Sequence, residues 1–388
     1  MIIGIPREIM HGERRVSASP ETVGKMVADG HTVLVEVSAG DGSFFHDADY
    51  KAAGAQIVNN VSEVFEKAQV ILKVKEPLFN SEKNCSEIDL MHAGQVIITF
   101  IHPASPPNHD MVKAMAAKGI IGLTLDGVPR ISRAQNMDAL TSMSTCAGYK
   151  GILIAANHLS KFMPPIFCAV GSIKPAQALI IGAGVGGLQA IATAKRLGAV
   201  VSAIDIRPAA AEQAGSLGAK IIEVPVPESE AMGEGGYASA LGEATLAAER
   251  AVIAEAVKDM DIVFLSALVQ GKLAPVLLTD EMVATMKPGS CIVDISIDQG
   301  GNCAITEAGE EVIKHGVTIS GIKNIPGMLP NSSTWMFAQN IYNLLKYLIK
   351  DDAVVLDRSD EIIKGILTTI DGEVVHEGAR EAMGMITA

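Results

Sequence analysis

Short runs of Val, Ile and Leu recur through the first third of the chain, at Ile2–Ile5, Thr32–Val37, Val70–Val74, Val96–Phe100 and Ile120–Leu123. Helix-like stretches such as Pro20–Asp29 and Met111–Ala117 separate them. Apolar strands of this length alternating with helices predict βαβ units around a parallel sheet. A long helical run then extends from about Gln135 through His158 and is broken at Met163-Pro164-Pro165, because proline removes a helix donor and crowds the preceding turn. The alternation resumes with strands at Leu179–Ile181, Val200–Ile204, Ile221–Val224, Ile262–Leu265, Ile292–Ile295 and Val317–Ser320.

After Pro330 the pattern changes. Trp335–Ile349 reads as an amphipathic helix, with Phe337, Ile341, Leu344, Leu345 and Leu348 on one side. The tail from Asp351 reads as a short helix and a strand pair, Ile366–Ile370 and Glu373–His376, joined by the hairpin signal Asp371-Gly372. A helix and a hairpin cannot build a core alone, so they are expected to pack back on the first domain. The predicted fold is therefore α/β, with two Rossmann-like doubly wound parallel-sheet domains. Residues 1–143 plus 330–388 form a discontinuous first domain, and residues 144–329 are inserted into it. The two crossings between them would form a hinge.

Composition narrows the function classes. Hydrophobic residues make up 48% of the 388 and aromatics 4%, which suits a core of Ala, Val, Ile and Leu between sheets and helices. A formal charge of -13 argues against nucleic acid or anionic lipid as partners, since both require basic patches. The cysteines are Cys85, Cys146, Cys168, Cys291 and Cys303, an odd number with no CxxC pair and no histidine cluster. A disulfide framework or zinc site is not expected, and a reducing compartment fits. The N-terminus lacks a secretory pattern. The 20-residue uncharged run Pro175–Ala194 contains four glycines and two glutamines, which argues against a membrane span.

That run also holds the most specific motif. Leu179-Ile180-Ile181-Gly182-Ala183-Gly184-Val185-Gly186-Gly187 reads as strand, glycine turn and helix start, and Val200–Ile204 ends on Asp205. A dinucleotide site needs these parts in this order. Gly182 permits the tight turn, Gly184 lets the backbone approach a pyrophosphate, and Gly187 lets helix and strand pack closely. Val185 opens the helix, whose free N–H groups face the anion. Asp205 lies 23 residues after Gly182, near the ~20 expected of a carboxylate on the adenosine ribose. It would repel a 2′-phosphate and so favours NAD(H), although Arg207 could reach a phosphate. Glu228 to Gly236 has no periodicity and reads as a surface loop or a lid over the nucleotide.

A second cluster, Val128 through Thr141, packs Arg130, Arg133, Gln135, Asp138 and Thr141 into one loop and helix start. Arg133 and Asp138 could form a helix-face ion pair, whereas Gln135 and Thr141 suit a neutral carboxamide. The Pro-Arg-Ile-Ser-Arg-Ala-Gln-x-x-Asp-Ala-Leu stretch resembles the Arg-Gln-Asp loop of the NAD(H)-binding subunit of the proton-translocating nicotinamide nucleotide transhydrogenases. Gly235-Gly236-Tyr237-Ala238 is similar to the tip of that family's mobile loop. Ser266-Ala267-Leu268-Val269-Gln270-Gly271-Lys272 resembles its Thr-Ala-Leu-Ile-Pro-Gly-Lys, with Gln270 in place of proline, and Gly372-Glu373-Val374-Val375-His376 also agrees.

The resemblance implies nucleotide contacts from Arg130, Gln135, Asp138 and Thr141, closure by Gly236 and Tyr237, and backbone contacts at Ser266, Ala267 and Leu268. Gln135, Arg130 and Asp138 would hold the nicotinamide end. It further implies direct hydride transfer between NADH and NADP+ bound on a partner subunit that carries NADP(H), a homodimer, a membrane-spanning proton-channel subunit, and a peripheral place on the cytoplasmic face of the membrane. Alanine dehydrogenase, a relative of the same fold, leaves an alternative open, the reductive amination of pyruvate. Arg15, Lys75, His102 and Asp298 match its active-site positions, where an arginine for a carboxylate and a histidine for a proton make sense. A structural role for these four is the competing reading. A further alternative is an idle NAD(H)-sensing module.

Overall fold

The computed structural model describes residues 1–227, 230, 241–269 and 273–386. By their contacts these fall into two units, Met1–Met143 with Gly327–Ala388, and Ser144–Pro326.

The first unit is built on an eight-stranded sheet. Its spatial order is Glu373–Val374, Leu367–Ile370, Ile121–Thr124, Val96–Thr99, Val70–Leu72, Ile2–Ile5, Thr32–Glu36 and Gln56–Val58. The strands from Ile121–Thr124 onward are parallel. Central strands covered on both faces must be apolar throughout, which is why Val70-Ile71-Leu72 shows no alternation and is fully buried. The tail joins this sheet, Leu367–Ile370 pairing antiparallel with Ile121–Thr124 and with Glu373–Val374. Asp371 and Gly372 both take positive φ in the turn, as a two-residue hairpin requires. Helix Pro330–Leu348 buries Phe337, Ile341, Leu344, Leu345 and Leu348, the stripe expected from the sequence.

One buried ion cluster ties this unit together. Lys73 Nζ donates to Glu87 Oε1 (2.9 Å) and lies 3.3 Å from Glu8 Oε2, all three side chains being buried. Glu8 also accepts the Val74 N–H (2.6 Å), and Glu87 accepts the Leu78 N–H (2.9 Å). Burial pushes the Glu8 carboxyl up to about 7, against the pull of Lys73. A Lys73→Met substitution leaves two buried carboxylates without their cation. Urea unfolding should show the first unit weakened by about 3–5 kcal/mol, and adding Glu8→Gln and Glu87→Gln should restore most of it.

The second unit holds a seven-stranded sheet in the order Lys220–Ile221, Val200–Ile204, Gln177–Ile181, Ile262–Leu265, Cys291–Asp294, Val317–Ser320 and Glu311–Lys314. The first six run parallel in the 3-2-1-4-5-6 order of a doubly wound fold. The last is an antiparallel edge strand that the apolar pattern does not show, because charges at Glu311 and Lys314 mask it. The strand expected at Ile221–Val224 pairs only at Lys220–Ile221. Pro175–Ala194 is divided between a strand, the glycine turn and helix Val185–Arg196, and no described helix is long and apolar enough to cross a membrane.

The long helix predicted from Gln135 begins instead at Ala139. Ser132–Met137 is a 3₁₀ turn. Asp138 ends it by accepting the Thr141 N–H (2.8 Å) and the Thr141 hydroxyl (2.6 Å), the arrangement of a helix N-cap.

Candidate functional site

Strand Gln177–Ile181 ends at Gly182, whose φ of +89° turns the chain toward the helix. A Cβ on Gly187 would lie 1.9 Å from the Gly182 carbonyl oxygen, so helix Val185–Arg196 can sit this close only without that side chain. No side chain caps the helix, and its first backbone bond runs from Leu188 N–H to Gly184 O (2.8 Å). The amides of the first turn therefore point outward at the positive end of the helix dipole. Among the described residues, a Cβ on Gly184 would meet only Arg207 Nη2, at 4.0 Å. These features fit an entering pyrophosphate, since donors and room stand together.

Asp205 follows strand Val200–Ile204 and lies beside the turn. Its Oδ2 accepts the Ala183 N–H (2.7 Å) and Arg207 Nη2 (2.8 Å), and its Oδ1 accepts the Arg207 backbone N–H (2.9 Å) and Nε (3.0 Å). Glu249, a buried residue of helix Glu243–Val257 with no sequence signal, completes the local field. Burial pushes its carboxyl up to about 7, the Asp205 charge adds to this, and Arg250 opposes it.

Ser266 and Ala267 meet the turn from the neighbouring strand. Ser266 Oγ donates to Gly182 O (2.7 Å), and a Cβ on Gly182 would lie 2.8 Å from Ala267 N. Asn302, which sequence reasoning missed, clamps the Ala267 peptide at both ends. Its Oδ1 accepts the Ala267 N–H (3.0 Å) and its Nδ2 donates to Ala267 O (2.9 Å). Asp294 in turn accepts the Asn302 and Cys303 N–H groups (2.8 and 3.0 Å). Both backbone groups of Ala267 are thus engaged by Asn302. Gly236, Tyr237 and Gln270 lie outside the described residues.

In the first unit Arg130 and Gln135 are exposed, whereas Asp138 is buried and bound to Thr141. Arg133 pairs not with Asp138 but with Asp360 (3.0 and 3.1 Å) and donates to the Tyr347 hydroxyl (2.8 Å), joining this loop to the tail. The sequence offered no sign of this long-range partner.

Arg15, Lys75 and His102 also belong to the first unit, and Asp298 is exposed in the second. Arg15 Nη2 pairs with Glu13 Oε2 at 2.6 Å, both buried. Burial would raise the Glu13 carboxyl, but Arg15 and the nearby Lys75 bring it down to about 2. His102, with φ +49°, sets its Nδ1 2.7 Å from Asp126 Oδ1, while its backbone N–H donates to Oδ2 (2.8 Å). Burial alone would depress the ring, yet the charge and hydrogen bond of Asp126 outweigh it, so the His102 pKa is raised.

Two outcomes follow from this geometry. Gly187→Ala should weaken the second unit by about 2–3 kcal/mol in urea unfolding, while Gly184→Ala should cost less than about 1 kcal/mol. The His102 ring should titrate above 6.5 by NMR, and Asp126→Asn should bring it below that value. Because the folded pKa is raised, the charge on His102 contributes stability that is fully present below pH 6.5 and is lost as pH rises through the folded value, while Asp126, brought down to about 2, stays ionised across this range.

Comparison with known proteins places this geometry. The family model described as "Alanine dehydrogenase/PNT, N-terminal domain" matches residues 4–147, and that described as "Alanine dehydrogenase/PNT, C-terminal domain" matches 151–377. The chain is 42% identical over 383 residues to the first portion of the NAD(P) transhydrogenase alpha subunit of Rhodospirillum rubrum, covering 97% of this chain and 98% of the relative. The crystal structure of a transhydrogenase from Sinorhizobium meliloti superposes with a TM-score of 0.81 at 36% identity, covering 97% and 99%. An alanine dehydrogenase of Methanococcus maripaludis is more distant, 32% identical over 392 residues, covering 98% and 96%. The chain belongs to the alanine dehydrogenase/PNT family and is a homologue of its NAD(P) transhydrogenase alpha subunits.

Proposed function

We propose that this chain is the NAD(H)-binding subunit of a proton-translocating transhydrogenase. The observation that carries this reading is the likeness to transhydrogenase alpha subunits along essentially the whole chain. NAD(H), when bound, supplies the hydride, which passes directly to NADP+ on a partner subunit. The amides opening helix Val185–Arg196 hold the pyrophosphate, with Gly182, Gly184, Val185 and Gly187 shaping the turn. Asp205 and Arg207 line the adenosine ribose, and Ser266, Ala267 and Leu268 border the same cofactor. Arg130, Gln135, Asp138 and Thr141 hold the nicotinamide end, and Gly236 and Tyr237 close over it.

No general base is needed, because no proton moves at the rings; the protein's task is to orient them at near-attack distance and exclude water. Asp138 fits this view, since the Thr141 amide and hydroxyl already engage its carboxylate. The chain works as a homodimer with an NADP(H)-binding subunit and a membrane-spanning proton-channel subunit, and is held at the cytoplasmic face through them. The alanine dehydrogenase alternative has the weaker support, because relatives of that name are more distant.

The test mixes the protein with an NADP(H)-binding transhydrogenase component and follows hydride exchange between the two nucleotide pools. Exchange should occur and should fall at least about tenfold in Gly184→Ala, a variant chosen to leave the fold intact. NADH oxidation by pyruvate and ammonium, without exchange, would overturn the reading.

A further inference from the structure

The Asp205 carboxylate has no acceptor capacity left. A carboxylate offers about four lone-pair positions, and here each oxygen accepts two donors. Oδ1 takes the Arg207 N–H and Nε (2.9 and 3.0 Å), and Oδ2 takes the Ala183 N–H and Arg207 Nη2 (2.7 and 2.8 Å). The Nε and Nη2 contacts form the two-pronged fork that makes arginine–carboxylate pairs strong. The pair is well sheltered, the side chains being 4% and 14% exposed. Two of the donors are backbone amides held in place by the turn and strand end. The other two belong to one side chain.

A ribose hydroxyl can therefore reach Asp205 only by displacing Arg207. Arg207 stands two residues from Asp205 and grips its carboxylate through Nε and Nη2, so the guanidinium lies where a group on the ribose 2′ position would meet the acid. A cation there would meet a 2′-phosphate favourably, and its pairing with Asp205 cancels the charge that would otherwise repel one. We infer that Arg207 is a specificity-determining residue, one that weakens the preference of this site for unphosphorylated over 2′-phosphorylated dinucleotide. This deepens the proposed function and rests on its placement of the adenosine ribose at Asp205. The residue commonly read as setting the preference for NAD(H), the strand-end acid, would then act only in balance with its neighbour.

The experiment measures NADH and NADPH affinity by calorimetry on the full chain and on Arg207→Gln, Arg207→Lys and Asp205→Asn. Removing the guanidinium leaves a bare carboxylate, so Arg207→Gln should raise the NADH-to-NADPH affinity ratio about tenfold or more. Arg207→Lys, which keeps a cation without the fork, should fall between, and Asp205→Asn should lower the ratio by freeing Arg207 for a phosphate. The ratio compares two ligands on one preparation, so a loss of folded protein does not move it. An unchanged or reduced ratio in Arg207→Gln, with NADH still binding the parent protein, overturns the inference and leaves the proposed function standing. Failure of the parent protein to bind NADH overturns the placement of the cofactor itself.

Discussion

The approach of helix Val185–Arg196 to strand Gln177–Ile181 is the constraint on which the second unit depends. With Gly182 O only 1.9 Å from where a Gly187 Cβ would sit, the two elements touch backbone to backbone. That closeness carries the helix N-terminus up to the strand ends. It also sets the Ala183 amide against Asp205 and the Gly182 carbonyl against Ser266 Oγ. A wider spacing would separate the outward-facing amides from the acid at the end of the next strand, and the donors and the carboxylate would no longer address one ligand.

Elsewhere the chain buries charge in closed sets. Lys73 lies between Glu8 and Glu87, and Arg15 faces Glu13, while His102 and Asp126 pair at a partly exposed position. An ionised group taken out of water is tolerated only where partners fill its hydrogen-bonding capacity. In the Lys73 cluster backbone amides supply part of that capacity, which joins strand ends to the following loops. At Asp205 the same device leaves half of the capacity to a side chain. The Asp205 site thus draws its donors equally from the backbone and from one neighbouring side chain.

Legibility from sequence followed the range of the interactions. The apolar runs marked nearly every central strand, because a strand covered on both faces must be apolar along its length. Two of the four edge strands escaped: Gln56–Val58 is three residues long, and Glu311–Lys314 carries charge at both ends. Periodicity starts the long helix at Gln135 rather than Ala139, since it cannot distinguish a 3₁₀ turn capped by Asp138 from the helix beyond it. The glycine turn and Asp205 were legible because their spacing is local to one βαβ unit. Asn302 and Glu249 were not, for neither belongs to a motif and each gains its role from a neighbour distant in sequence.

By itself the order of residues determined the α/β class, the helix and hairpin of the tail, and the turn where a strand meets a glycine-opened helix. Each rests on hydrophobic periodicity or backbone freedom, properties a residue brings with it. Only the tertiary structure decided which charges are partnered: Arg133 with Asp360 rather than Asp138, Arg15 with Glu13, and Asp205 with Arg207. Ion pairs depend on distances of a few ångströms between side chains, and no spacing along a chain specifies those until the backbone has been folded around them.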